Sequence, residues 1–277
     1  MRLRVLTWNV YHDAGDPRRT DLLNRTVRAL EPDLVCLQEV CDPRRGGQLV
    51  ALLAGTGLRH TTHQTGVLGD PPPGTERYGG TAVATRWPHR VVEVREEHPA
   101  GAHWWTLAVA VDVPAGRLLL VAPTTPWQPE AAAARERQAE QITEIDQRHR
   151  GRLPTIVAGD LNARPGEAGI RRLCGSPALA GSGAGFQDAW AVAGRGPGHT
   201  WSARNPTAAA EMRQTIGRPV RWRIDYVLVG RLPAPRPDGG PRIVAARLVG
   251  DRAVEGVWLS DHFGLLADLD LTADPGG

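Results

Sequence analysis

Residues 3–10 read Leu3-Arg4-Val5-Leu6-Thr7-Trp8-Asn9-Val10, and residues 33–38 read Asp33-Leu34-Val35-Cys36-Leu37-Gln38. The first run alternates apolar and polar residues, as a strand with one face in a core does, and the second is a compact apolar run of strand length. Between them Arg18 to Leu30 carries Leu22, Leu23, Val27 and Leu30 at helical spacing and closes at Glu31-Pro32, where the proline stops a helix. Together these runs predict strand, helix, strand: the start of an α/β fold.

Working outward, Thr81 to Thr85, Trp104 to Val113 and Arg117 to Ala122 also read as strands. Glu130 to Arg150, preceded by Pro129 and with Ile142 and Ile145 on one face, is the longest helical stretch. Strand patterns return at Leu153 to Ala158, Ile224 to Val229, Arg242 to Val249 and Gly264 to Leu271. Asp70 to Gly74 and Pro233 to Pro241 are rich in proline and glycine and predict loops, not linkers, because strand patterns continue on both sides. No internal repeat is visible. The expectation is a single domain over residues 1–277 with a frayed tail, 271–277.

Composition narrows the function classes. Hydrophobic residues make up 41% of the chain and charged ones 23%, ordinary globular values that exclude wholesale disorder, while 32 glycines and 23 prolines imply many turns. The net charge is +3, and all 33 basic side chains are arginine, which reads first as a coding bias toward GC. No dense arginine run interleaved with aromatics appears, so tight non-specific binding to DNA is disfavoured. Cys36, Cys41 and Cys174 show no paired spacing, which argues against a secreted disulfide framework and for a reducing cytoplasm. Neither a signal-peptide core nor an apolar segment of membrane-spanning length is present, so a cytoplasmic monomer without a membrane span is expected.

Five short segments fall at or just after strand ends and carry acidic, amide or imidazole groups: Thr7-Trp8-Asn9, Leu37-Gln38-Glu39, Gly159-Asp160-Leu161-Asn162, Arg223-Ile224-Asp225-Tyr226 and Ser260-Asp261-His262. Singly each has a structural explanation: Asn9 as a turn cap, Glu39 as a solvated strand end, Asp160 with Asn162 as an Asx turn. Jointly they supply what phosphate-ester hydrolysis needs. A hard divalent cation takes carboxylate and amide oxygens, which Glu39 and Asp261 offer with Asn9. Asp160, Asn162 and the Asp225/His262 pair suit the orientation of water and the stabilisation of charge on phosphoryl oxygens.

This ordered set, from Asn9 to His262, resembles the endonuclease/exonuclease/phosphatase superfamily. The resemblance implies a four-layer α/β/β/α sandwich of two packed mixed sheets flanked by helices. It implies that Glu39 is the main ligand of Mg²⁺ or Mn²⁺, with Asn9 and Asp261 close to the metal and its water. Asp160 would activate the attacking water, Asn162 would hold a phosphoryl oxygen, and His262, oriented by Asp225, would contact the phosphate. The activity implied is hydrolysis of a phosphodiester or phosphomonoester; a small molecule, a lipid head group and nucleic acid all remain open as the phosphorylated partner.

One position departs from the family pattern. Where many members carry a Thr-His pair whose histidine assists the leaving group, this chain reads Pro123-Thr124-Thr125-Pro126-Trp127, and Thr125 occupies the histidine position. Threonine does not titrate near neutral pH, so two other functions stay open: a pseudo-enzyme that binds a phosphorylated ligand, and a tailoring enzyme of small-molecule metabolism that reuses the cleft. His12 and His199 read as surface or packing histidines ahead of site residues, and Glu76-Arg77-Tyr78 has no evident partner. Thr125, Trp127, His199 and Trp201, all in loops, form the candidate substrate-binding set.

Overall fold

Strand alternation builds the architecture. In β1 (Arg2–Asn9) Leu3 and Val5 turn to one face and Leu6 and Trp8 to the other, and both faces are buried in different cores. A computed structural model of the chain describes residues 1–44, 46–69, 79–97, 104–175, 185–230 and 242–271. The two proline- and glycine-rich loops, Glu76-Arg77-Tyr78 and the tail beyond Leu271 lie outside these residues. Leu271 itself is buried, and its N–H donates to the Met1 carbonyl at 2.9 Å.

From β1 the chain runs through α1 (Arg19–Leu30) to β2 (Leu34–Val40), α2 (Gln48–Leu53), β3 (His60–His63), α3 (Thr65–Leu68) and β4 (Gly80–Thr85). β5 (His89–Glu97), β6 (Trp104–Val113) and β7 (Gly116–Thr124) form an antiparallel meander, and α4 (Ala132–His149) then crosses to β8 (Ile156–Asp160). α5 (Ala168–Cys174), β9 (Phe186–Asp188), α6 (Ala189–Ala193), β10 (Trp201–Ser202), α7 (Pro206–Thr215) and β11 (Arg221–Trp222) precede β12 (Asp225–Gly230). β13 (Arg242–Val249) and β14 (Gly264–Asp270) complete the order.

Two six-stranded mixed sheets result, in the orders β13-β14-β1-β2-β4-β3 and β5-β6-β7-β8-β12-β9, with β10 and β11 as a separate ribbon. Leu3, Val5, Leu34 and Leu265 of the first sheet meet Leu107, Leu120, Ile156 and Val227 of the second in one core. The outer face of the first sheet packs on Leu22, Leu23 and Val27 of α1 and on α2; that of the second packs on Ile142 and Ile145 of α4 and on α5. This is the expected four-layer sandwich. Among the described residues no helix is long and apolar enough to cross a membrane.

The parallel pair β7 and β8 comes so close at one point that only glycine fits. A Cβ at Gly159 would lie 2.1 Å from the Pro123 carbonyl oxygen, which is backbone and cannot swing aside. Gly159→Ala is therefore expected to cost about 1–3 kcal/mol, the usual range for overpacking, read as a lower urea midpoint at unchanged slope. An unchanged midpoint would show that the two strands separate freely here.

Candidate functional site

The same alternation that fills the inter-sheet core delivers polar groups at one end of it. Along β1 the inward parity runs Leu3, Val5, Thr7, Asn9; along β8 it runs Ile156, Ala158, Asp160; along β12 it runs Val229, Val227, Asp225. Asp225 pairs directly with Asp160 across the antiparallel ladder, so their side chains share a face. Where the apolar layer ends, the carboxylates begin.

Glu39 reaches this end through a register shift. The pairing of β2 with β4 slips between Leu37 and Val40, and Glu39 takes φ +55°, the left-handed region that is uncommon for a residue with a side chain. Gly79 packs on this bulge so closely that a Cβ there would sit 2.4 Å from the Val40 carbonyl oxygen. Asn9 Nδ2 donates to Glu39 Oε1 at 2.9 Å and lies 3.3 Å from Asp160 Oδ2, so one amide spans both carboxylates. The Asn9 oxygen is taken by the Tyr11 N–H at 3.0 Å. Asn9, expected near the metal, thus lies between the two carboxylates, with one lone pair of its oxygen used by the Tyr11 N–H.

Asp261 arrives from the opposite end of the chain. The Ser260 hydroxyl donates to the Asn9 carbonyl at 2.6 Å, and the Trp201 indole N–H donates to Asp261 Oδ2 at 3.4 Å. Glu39 is half-buried, and burial together with the charge of Asp261 pushes its carboxyl up to about 8.

The second cluster lies across the Asn9 amide. Asp160 Oδ1 accepts the Asn162 N–H at 3.0 Å, an Asx turn that places Asn162 at φ +42°, and Asn162 Nδ2 donates to the Thr125 carbonyl at 3.0 Å. His262 Nδ1 is 2.9 Å from Asp225 Oδ2, and both groups are buried. Asp225 Oδ1 is buried without a hydrogen-bond partner. Ligand-type atoms of Asp160, Asp225 and His262 all lie within 4.8 Å of one another. Burial alone would lower the His262 pKa, but the carboxylates of Asp225, Asp261 and Asp160 outweigh it and hold the imidazole well above its ordinary value. Burial, then the charge of Asp225, pushes Asp160 up to about 7.

The four expected substrate contacts divide. Trp201 is buried beside His262, ring centroids 6.2 Å apart. Trp127 is 45% exposed, and neither it nor His199 hydrogen-bonds to the clusters among the described residues. Thr125, expected in the substrate-binding set, leaves β7 on the outer side. It continues the outward parity of Leu119 and Val121 in β7, so its buried, unpartnered hydroxyl belongs to the side that packs under α4 and α5, where the residue borders a cavity of about 10 Å³ with Arg135, Ala139 and Ile170. Thr124 takes the inward face instead, its hydroxyl 2.6 Å from that of Thr81. His12 is turned into its own loop, accepting from the Ala14 N–H at 3.2 Å.

Two further residues shape the site. Thr200 Oγ1 accepts from the Ile224 and Asp225 N–H groups at 3.1 and 3.2 Å and fixes the start of β12. Arg19 is buried beneath the loop that follows Asn9. Its signal was present, since it precedes Leu22 and Leu23 at the three- and four-residue spacing of the buried face of α1.

A profile of the Endonuclease/Exonuclease/phosphatase family matches residues 6–262. No curated protein matches the chain by sequence. Among solved structures, truncated Caenorhabditis elegans TDP2 superposes with a TM-score of 0.69 at 18% identity, over 97% of this chain and 97% of that one. D. rerio TDP2 complexed with single strand DNA product gives 0.71 at 18%, over 97% and 99%. The human Nocturnin catalytic domain with bound sulfate gives 0.65 at 17%, over 98% and 95%. At these identities the likeness is one of fold.

Proposed function

The chain belongs to the endonuclease/exonuclease/phosphatase family, and from that premise we propose that it is a divalent-metal-dependent phosphoesterase. It hydrolyses a phosphodiester or phosphomonoester by in-line attack of water, with Mg²⁺ or Mn²⁺ as the cation. The observation that carries this reading is the Asn9 amide, which spans Glu39 on one side and Asp160 on the other. It joins a carboxylate pair suited to a cation to a carboxylate and imidazole cluster suited to water and phosphate.

The donor set fits a hard cation. Glu39 and Asp261 are oxygen donors enclosed close enough for the charge of one to raise the other, and a cation relieves that repulsion. Asp160, Asp225 and His262 are more tightly grouped, but the His262 imidazole is already bonded to Asp225, so Glu39 and Asp261 are the residues that would hold it. When bound, the cation supplies positive charge to the phosphoryl oxygens. Asp160, with its oxygens fixed by the Asn162 N–H and the Asn9 amide, accepts the proton of the attacking water. His262, kept cationic by Asp225, donates from Nε2 to a phosphoryl oxygen. Asn162 Nδ2 spends one hydrogen on the Thr125 carbonyl and keeps the other for the substrate. Trp201 lines the substrate side.

The Thr124 and Thr81 hydroxyls hold the inward face where an acid for the leaving group would stand, and neither titrates near neutral pH. The rate should then depend steeply on leaving-group pKa, because proton donation typically contributes about 10²- to 10⁴-fold. The test is a panel of aryl and alkyl phosphodiesters, phosphomonoesters, nucleic acids and phospholipids with Mg²⁺ or Mn²⁺ against an EDTA control. Aryl esters should turn over far faster than alkyl ones. No metal-dependent turnover of any member would end the hydrolase reading, and a flat leaving-group dependence would show that another group serves as acid. Thr125→His would not restore that acid, since the imidazole would be driven outward under α4.

A further inference from the structure

We infer that Arg19 is a positioning residue for the cation pair: its guanidinium clamps the loop that follows Asn9 to the loop that carries Asp261. The inference rests on the metal-dependent reading above. Arg19 is 5% exposed, and its four side-chain hydrogen bonds all go to backbone carbonyls. Nε donates to the Leu259 carbonyl at 2.9 Å, Nη1 to the carbonyls of Tyr11 (3.4 Å) and Ala14, and Nη2 to that of Val10. Three of these carbonyls belong to the turn that leaves Asn9; the fourth lies two residues before Asp261. The Ser260 hydroxyl on the Asn9 carbonyl closes the same junction from the other side.

A buried arginine is costly unless its charge and its donors are both used. Among the described residues no carboxylate lies within salt-bridge distance of Arg19. The charges of Asp261 and Glu39 nevertheless favour its charged form against burial, so the guanidinium backs the cation pair without bonding it. The stem is equally fixed. A Cβ at Gly15, which has φ +81°, would lie 3.3 Å from Arg19 Cδ, and Cζ stands 5.5 Å from the Tyr11 ring centroid. Four carbonyls converging from two loops need a flat fork of donors, which a lysine ammonium does not supply although it carries the same charge. The clamp acts through geometry, and the geometry it holds is the separation of Asn9 from Asp261.

Arg19→Lys keeps the charge and loses the fork. Mn²⁺ titration by calorimetry on the folded parent comes first, and absence of binding there would sink the metal reading itself. With a binding parent, Arg19→Lys should weaken Mn²⁺ by about 10- to 100-fold, the usual cost of losing a partner that orients ligands. Arg135→Lys is the control: that arginine is also buried and donates to the Pro126 and Gln128 carbonyls at 3.0 and 2.8 Å, away from the cation pair. It should melt lower yet bind Mn²⁺ within about two-fold of the parent. Should Arg19→Lys fail to fold, Gly15→Ala pushes the same fork from its stem and should weaken Mn²⁺ in the same direction. Parental Mn²⁺ affinity in the folded Arg19 variant, or in Gly15→Ala where that variant does not fold, overturns the clamp. So does an equal loss in Arg135→Lys.

Discussion

Asp160→Asn is expected to lower kcat/KM by about 10²- to 10⁴-fold while melting no lower than the parent at pH 8. The two effects share one cause. Asp160 is buried beside Asp225 and its carboxyl is pushed up to about 7, from 3.8 when free. The folded state therefore holds a proton that the unfolded chain releases near pH 4, and stability is lost as pH rises from about 4 through about 7. At pH 8 the ionised carboxylate costs on the order of a few kcal/mol, which the amide removes. The same shift predicts that kcat/KM of the parent rises with pH through about 7 as the base ionises. His262→Ala should lose about 10²- to 10³-fold with the opposite sign in stability. It strands the Asp225 carboxylate, whose other oxygen is already unpartnered, and breaking a buried pair costs roughly 3–5 kcal/mol. Urea melts at pH 8 distinguish the two. An Asp160→Asn variant with near-parental turnover would remove Asp160 from the reaction, and one that melts well below the parent would show that its charge is not a burden on the fold.

Glu39→Gln should abolish the thermal shift that Mn²⁺ produces. In the parent, a cation that binds only the folded state raises the melting temperature with concentration. Removing the principal carboxylate should weaken Mn²⁺ by more than the roughly 10- to 100-fold cost of an outer partner, enough to erase that rise at millimolar metal. In EDTA the order reverses. Glu39 stands at about 8, against 4.5 when free, because of burial and Asp261, so the metal-free fold loses stability as pH rises from about 4.5 through about 8, and at pH 8 the glutamine variant should melt higher. Melting curves of both proteins with and without Mn²⁺ should cross in this way. Equal shifts on adding metal would take Glu39 out of the cation site.

The four-layer fold and the residues of the candidate site were both readable in the chain, from strand alternation and from where it stops. Asn9, Asp160 and Asp225 end or begin apolar strands on the inward parity, so an alternating pattern that stops at a carboxylate or amide announces a site at the edge of a core. Asp261 and His262 stand two or three residues before the last strand, β14. β5 escaped because it is an edge strand: Arg90, Glu93, Arg95 and Glu96 interrupt Val91 and Val94, and a bulge between Val91 and Glu93 breaks the alternation that would reveal it. β9, β10 and β11 are only two or three residues long, too short for any period. The direction of Thr125 depends on counting parity from the core of β7, and that count needs the strand's inner face to be known first. The orientation of the Asn9 amide is set by the Tyr11 N–H and Glu39, contacts that follow from the bulge at Glu39 and that no spacing encodes.

The place of β1 between β2 and β14 has a consequence for how the chain comes to be folded. During synthesis β1 emerges before β2, and it can pair with β2 as soon as the α1 crossover has formed. Its other edge must wait until residues 264–270 exist, because its second neighbour is β14. Closing that pair fixes a loop of nearly the whole chain, an ordering that loop entropy makes late and slow. Glu39 and Asp261 meet only at that final closure, so nascent chains hold the acidic residues of the mouth apart until the sheet around them is complete.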